Sequence, residues 1–306
     1  MNTIKTKRID KITKKKNSNL NGDKMDINCI GNIFSGIFDP LVTSRITKGP
    51  KNPKKIDLSK FELVFEDNFD GDKLDETKWH EHRFFNTETG ARKGGLWSPS
   101  QAIIIDKKLH IRTEYKDNGE YGAGYYTEAI DTSGLFEQKF GYYECRCKLP
   151  AAEGLWAAFW LHSMKVGTGF SGQDGTEIDI FESPLYKRKR IRNSVVSNLH
   201  YNGYGIQGKS KRLGAFAAPD PYNTFNTYGL EWTEKEYIFY INGVETCRSS
   251  FGGVSQNEEF MILSVEVDGV GGTPVFGWSG NIKNNPKGTL PVDFVIDYVK
   301  VYKHKK

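Results

Sequence analysis

From Phe61 onward the chain is a succession of short runs, each closed by Gly, Asn or Asp. Within them apolar and polar residues alternate, or β-branched and aromatic residues crowd together. FELVFEDNF, QAIIIDKKLHIRTEY, GYYECRCKLP, GLWAAFWLHS, TEIDIFES, SVVSNLHY, NTYGLEWTEKEYIFYING, FMILSVEV and DFVIDYVKVY are the clearest. Successive side chains of a strand point to opposite faces, so a period of two marks a strand with one buried face. No long segment keeps the 3.6-residue period of a helix, and no internal repeat is evident. DKK at 106–108 and NG at 242–243 read as hairpin turns. Many short strands over about 240 residues predict an all-β domain, a sandwich of two sheets.

Residues 1–60 have a different texture. They hold 14 Lys and Arg against 5 Asp and Glu, and KGPKNPKK lies near their end. The whole chain carries a formal charge of +5, so the basicity belongs to this stretch and the rest is mildly acidic. The composition predicts a basic, poorly ordered N-terminal extension over 1–60 and a folded domain over 61–306. A basic extension can attract nucleic acid or anionic surfaces, but a solvated tail explains it as well, and no nucleic acid is expected on the folded domain. No run approaches the roughly 18 apolar residues of a membrane span. INCIGNIFSGIFDPLV is broken by Asn, Gly, Ser and Asp, so no Sec signal peptide is read. Of the cysteines Cys29, Cys145, Cys147 and Cys247, the middle two form CRC, which is not the spacing of a zinc or redox site. On a strand they share a face with Tyr143 and Leu149, and buried free thiols are expected.

The segment GTEIDIFES, residues 175–183, poses a conflict. Glu177 and Asp179 share one strand face, and Ile178 and Ile180 share the other, toward the core. Strict alternation would then send Glu182 into the core with the isoleucines. Burying an unpaired carboxylate there costs several kcal/mol. A β-bulge near Ile180–Phe181 adds one residue, resets the parity and returns Glu182 to the face of Glu177 and Asp179. With the bulge discounted, Glu177 and Glu182 are four strand steps apart, roughly 13 Å between Cα atoms. Side chains leaning together bring the carboxyls to about 5–6 Å, near the separation used by retaining glycosidases. One glutamate would attack as a carboxylate. The other would hold a proton for the leaving oxygen, its pKa raised by the neighbouring charge. Asp179, between them, would tune the nucleophile. An ordinary charged strand face is the alternative.

GLWAAFWL alternates as well. Leu155, Ala157, Phe159 and Leu161 make an apolar face, with Trp156 and Trp160 on the other. Two tryptophans on a non-core face suggest stacking platforms for sugar rings, although core tryptophans would look the same in sequence.

GTEIDIFES resembles the active-site strand of glycoside hydrolase family 16, the laminarinase, agarase and lichenase group. FEDNFDGDKLDETKW, GYYECRCKLPAAEGLWAAFWL, YGLEWTEKEYIFYINGVE and FVIDYVKVY are similar to other family segments, in the family's order, over residues 61–303. The resemblance implies a β-jelly-roll sandwich of the concanavalin A-like type with a concave carbohydrate cleft. It implies a retaining, endo-acting hydrolase of β-linked polysaccharide. Glu177 would be the nucleophile, Asp179 its helper and Glu182 the acid/base. Trp156 and Trp160 would shape sugar subsites, and His200 of SNLHY would lie near the carboxylates. No cofactor is expected for catalysis. The resemblance also implies a possible structural calcium on the convex face, with Asp297 of IDYVKVY as a ligand. The extra residue between Asp179 and Glu182 matches the bulged subgroup of laminarinases, agarases, carrageenases and endo-β-galactosidases. The Bacillus-type lichenases and plant xyloglucan enzymes lack it. That argues against the substrates of those two groups, and the aromatic pattern in EGLWAAFWLHS fits a β-1,3-glucan or β-galactan backbone. A transglycosylase, or a binding protein without turnover, are the alternatives on the same fold. A polysaccharide partner, a monomer, and a secreted or cell-surface location are the corresponding expectations.

Overall fold

The computed structural model describes residues 45–81 and 90–305. Most of the expected N-terminal extension, and Cys29, lie outside the described residues. No helix among the described residues is long and apolar enough to cross a membrane.

The chain folds as the expected two-sheet β-sandwich. Seven strands form one sheet in the order Lys209–Ala217, Ser194–Tyr201, Thr176–Glu182, Leu155–His162, Phe260–Val267, Ala129–Asp131 and His80–Glu81. The larger sheet runs Val244–Ser249, Tyr237–Ile241, Asn226–Trp232, Gly141–Lys148, Val292–His304 and Lys108–Gly119, then continues through shorter strands. Phe61–Asp67 pairs alongside Val292–His304. The two hairpin turns fall where the sequence places them. Asp106 and Lys107 have φ of 49° and 54°, and Asn242 and Gly243 have φ of 50° and 71°. Two consecutive positive φ values give the turn whose twist suits paired strands.

The core lies between the sheets. Ile178, Ile180 and Phe181 enter it from one strand, and Leu155, Ala157, Phe159 and Leu161 from its neighbour. Tyr143, Cys145, Cys147, Leu149, Tyr228, Leu230, Phe294 and Ile296 meet them from the other side. Cys145 and Cys147 are buried free thiols, as their shared parity with Tyr143 predicted, and Cys247 is also free. Phe181 packs on Tyr228 at 4.3 Å and edge-on to Phe294 at 6.1 Å between ring centroids. Full burial of such a ring contributes about 1.5–3 kcal/mol, so the strand is anchored firmly just before Glu182.

Residues 45–60 correct the expected boundary at Phe61. They form a strap across the edge strands of both sheets. Thr47 N donates to Ala215 O at 2.7 Å, and Ala215 N donates back to the Thr47 hydroxyl at 3.0 Å. Further along, Glu245 N donates to Lys54 O at 2.8 Å and Ile56 N to Gly243 O at 3.0 Å. Ile56 packs against Phe61, Tyr142, Ile238 and Tyr240 on the outer face of the large sheet. The Lys- and Pro-rich composition misled because backbone hydrogen bonds, rather than apolar side chains, hold most of this segment.

Candidate active site

The bulge is present. Asp179 faces Asn198 on the adjacent strand, while Glu182 faces Val196. Three residues on one strand therefore span two on the next. Ile180 has no cross-strand partner on either side, and its carbonyl accepts a hydrogen bond from Ser197 Oγ at 2.9 Å. Ile180 and Phe181 both enter the core, which frees Glu182 to stand on the outward face with Glu177 and Asp179. The extra residue is what places the third acid.

The adjacent strand supplies the partners. His200 lies opposite Glu177. Its Nε2 is 3.1 Å from Asp179 Oδ2 and 3.9 Å from Glu177 Oε1. Its Nδ1 is 2.7 Å from Ser210 Oγ, which fixes the ring. Asn198 donates through Nδ2 to Glu182 Oε2. Tyr204 donates its hydroxyl proton to Glu177 Oε2. His162 Nε2 is 2.9 Å from the Tyr204 oxygen and 3.9 Å from Glu177 Oε2.

Electrostatics treat the two glutamates differently. Burial pushes the Glu182 carboxyl well above the usual range, and the charges of Asp179 and Glu177 add to this against the pull of His200 and Asn198. Burial and Asp179 raise Glu177 to about 7, while His200 and Tyr204 restrain it. Of the pair, Glu177 gives up its proton first. Burial opposes the charge on His200, but its hydrogen bond with Asp179 and the three surrounding carboxylates lift it to about 9. His200 is thus an imidazolium at neutral pH and holds Asp179 as its ion-pair partner. Ligand-type atoms of Glu177, Asp179 and His200 lie within 4.8 Å of one another. Here the His200 Nε2–Asp179 Oδ2 ion pair engages two of those atoms.

The expected tryptophans both lie on the acid face, and their surroundings differ. Trp156 is half-buried and meets Trp278 edge-on at 5.7 Å. Arg212 lies over the other aromatic of that pair, 5.4 Å from the Trp278 ring centroid. Trp160 is only 5% exposed, packed with Trp97, Phe260 and Ile262. Its indole N–H donates to Ser264 at 3.1 Å. Trp160 therefore forms part of the floor, and Trp156 is the more open platform. Beside them Arg92 pairs with buried Glu266 at 2.9 Å and lies 5.3 Å over the Trp97 ring.

Sequence reading did not single out Asn198, His162, Tyr204, Trp278, Arg212 or Arg92. Strand parity could have found two of them. Asn198 is two residues from His200, and His162 two from Trp160, each on the acid face. Tyr204 sits on a loop, where parity carries no information.

The surroundings of Asp297 do not fit calcium. Its Oδ2 is taken by Arg146 and its Oδ1 lies 3.6 Å from Lys108 Nζ. Two cations already neutralise this carboxylate, whereas a calcium site gathers oxygen ligands. Asp297 is a strand aspartate in an ion-pair cluster, and the expectation of a metal there is not supported.

A β-sandwich presenting two buried glutamates with raised pKa values on one strand face has the apparatus of a glycosidase. The chain belongs to glycoside hydrolase family 16: the family model described as "Beta-porphyranase A-D, GH16 domain" matches residues 62–304. This bears out the resemblance read from the motifs. Endo-1,3-1,4-beta-glycanase EglC of Rhizobium meliloti is 25% identical over 282 residues, 91% of this chain and 53% of that protein. Beta-porphyranase D of Zobellia galactanivorans is 30% identical over 188 residues, 56% of this chain and 43% of that protein. The chain thus spans about half the length of these relatives. Among solved structures, the laminarinase catalytic domain of Thermotoga maritima matches with a TM-score of 0.64 at 26% identity, covering 81% of this chain and 100% of that one.

Proposed function

We propose that the protein is a retaining, endo-acting hydrolase of a β-linked polysaccharide, of the β-glucan or β-galactan type. The observation that carries this reading is the common face of Glu177 and Glu182 that the bulge creates; burial raises the Glu182 pKa, which suits it to hold a proton. The charge of Glu177 adds to the rise of the Glu182 pKa, and the bulge puts both carboxyls on the same side of one strand. In the first step Glu177 attacks the anomeric carbon while Glu182 protonates the leaving oxygen. In the second, Glu182 takes a proton from water, which attacks the same carbon, breaks its ester bond to Glu177 and restores its original configuration. Asp179, paired with His200, keeps negative charge beside Glu182 and so supports its proton. Trp156 with Trp278 offers aromatic faces for sugar rings. A polymeric substrate places the work outside the cell or at its surface, and all the acids come from one chain, so a monomer suffices.

The relatives' names divide the substrate between β-glucans and porphyran. A panel of laminarin, lichenan, agarose and porphyran, scored by reducing ends and oligosaccharide size, tests the reading. Internal cleavage of one polymer, with the product first appearing as the β-anomer by NMR, is the expected result. No release from any polymer, or an α-anomer as first product, would refute it. Products longer than the starting chains would instead identify a transglycosylase.

A further inference from the structure

We infer that Tyr204 is a positioning residue for the nucleophile, the last link in a hydrogen-bond relay from His162 that holds Glu177 Oε2 and presents Oε1 to the anomeric carbon. The inference rests on the reading of Glu177 as nucleophile.

Tyr204 lies on the loop between the strands Ser194–Tyr201 and Lys209–Ala217. The loop is built for a defined shape. Asn202 and Gly203 have φ of 63° and 73°, and Asn202 Nδ2 donates to Gln207 O at 3.0 Å. Gly203 also rests against Gly167 of another loop: a Cβ added at Gly167 would stand 3.0 Å from the Gly203 Cα. Two glycines allow the backbones to touch there, and the contact sets the height of Tyr204 over the acid face.

Tyr204 as a residue is 56% exposed, yet its hydroxyl reaches inward to both Glu177 and His162. The ring stacks on His162 at 6.3 Å between centroids and 20° between planes. A phenol has one proton to give, and it goes to the carboxylate. The oxygen is then left to accept, so His162 must present Nε2–H. His162 suits that role. It is buried, and desolvation pushes its pKa down to about 3, so it is a neutral imidazole with a fixed donor. The Tyr204 phenol is raised well above its ordinary value by burial and by Glu177, and it remains a donor throughout the working range. The relay ends on one side of Glu177, at Oε2, where Tyr204 donates. Oε1 is left facing His200 at 3.9 Å, and among the described residues no hydrogen bond of comparable closeness has to break when it attacks.

Tyr204→Phe keeps the stack and removes the donor. Because the residue is on an exposed loop, the thermal midpoint should stay within about 1 °C of wild type. The expected kinetic result is a fall in kcat of about 10- to 100-fold with KM within about twofold. The acid limb of kcat/KM should move to higher pH by about one unit, since the lost donor no longer restrains the Glu177 pKa. An unshifted acid limb with wild-type kcat would overturn the inference. A 2-deoxy-2-fluoro glycoside with an activated leaving group separates the two readings. Labelling of Glu177, slowed in Tyr204→Phe, supports both. Labelling of Glu177 at the wild-type rate in the variant overturns the role of Tyr204 alone. Labelling of another residue overturns the nucleophile assignment itself.

Discussion

His200 Nε2 stands 3.1 Å from Asp179 Oδ2, and this ion pair links the chemistry of the site to the stability of the fold. The folded pKa of His200, about 9, lies above its unfolded value of about 6.5. The pair's contribution to stability is therefore fully present below about pH 6.5 and is lost as pH rises through about 9. His200→Gln should lower the unfolding free energy at pH 6 by on the order of 1–3 kcal/mol, with the deficit shrinking by pH 10. Urea titrations across this range check it. A deficit that does not change with pH would mean that His200 acts by packing alone.

The leaving group should discriminate between the two glutamates. Glu182→Gln should slow polysaccharide cleavage by about 10³- to 10⁴-fold. An aryl glycoside whose leaving group needs no proton should still glycosylate the variant at close to the wild-type rate. Glu177→Ala should be inactive on both. Azide should rescue it to give the glycosyl azide of inverted configuration, since the small anion enters the space of the missing carboxylate. Rescue of the Glu182 variant with inversion, instead, would exchange the two assignments.

Glu259 should be a cost to stability at alkaline pH. It is fully buried, its Oε1 receives a long bond from Thr176 N at 3.4 Å, and burial raises it to about 8 against the pull of Ser255 and Thr176. The folded state keeps its proton while the unfolded chain loses it near pH 4.5. Stability linked to this group is present below about pH 4.5 and lost as pH rises through about 8. Glu259→Gln should accordingly gain stability relative to wild type between pH 5 and 8.5, by on the order of 3 kcal/mol. Paired denaturation curves at the two pH values read the difference.

The strap at 45–60 should matter to the fold although it lies outside the segment recognisable by motif. A chain beginning at residue 45 should melt within about 1–2 °C of the full chain. A chain beginning at residue 61 should melt about 5 °C or more lower and should associate at high concentration, because unpaired edge strands invite pairing with other chains. Calorimetry and light scattering on the two truncations test this.

Much of the architecture was readable because it rests on parity. The conflict at Glu182 located the bulge, the spacing of Cys145 and Cys147 placed them in the core, and Asn242–Gly243 marked its turn. What escaped depends on contacts distant in sequence. Trp160 looks like an open platform until Trp97, from a separate strand, packs beside it. Asp297 looks like a free ligand until Arg146 and Lys108 arrive from two other strands. Tyr204 reaches Glu177 through a loop whose path is set by a glycine contact with a second loop, which no periodicity reports. The strap was missed because main-chain hydrogen bonding leaves no signature in composition.

Six consecutive residues, Glu177 to Glu182, carry both glutamates of the proposed mechanism. Breathing of the sheets, or a shift of one strand against its neighbour, moves the two together like marks on a ruler. Their separation is governed by covalent geometry and one bulge, and is thereby insulated from substitutions in distant loops. Such loops are free to remodel the groove for a different sugar polymer without retuning the reaction at its floor.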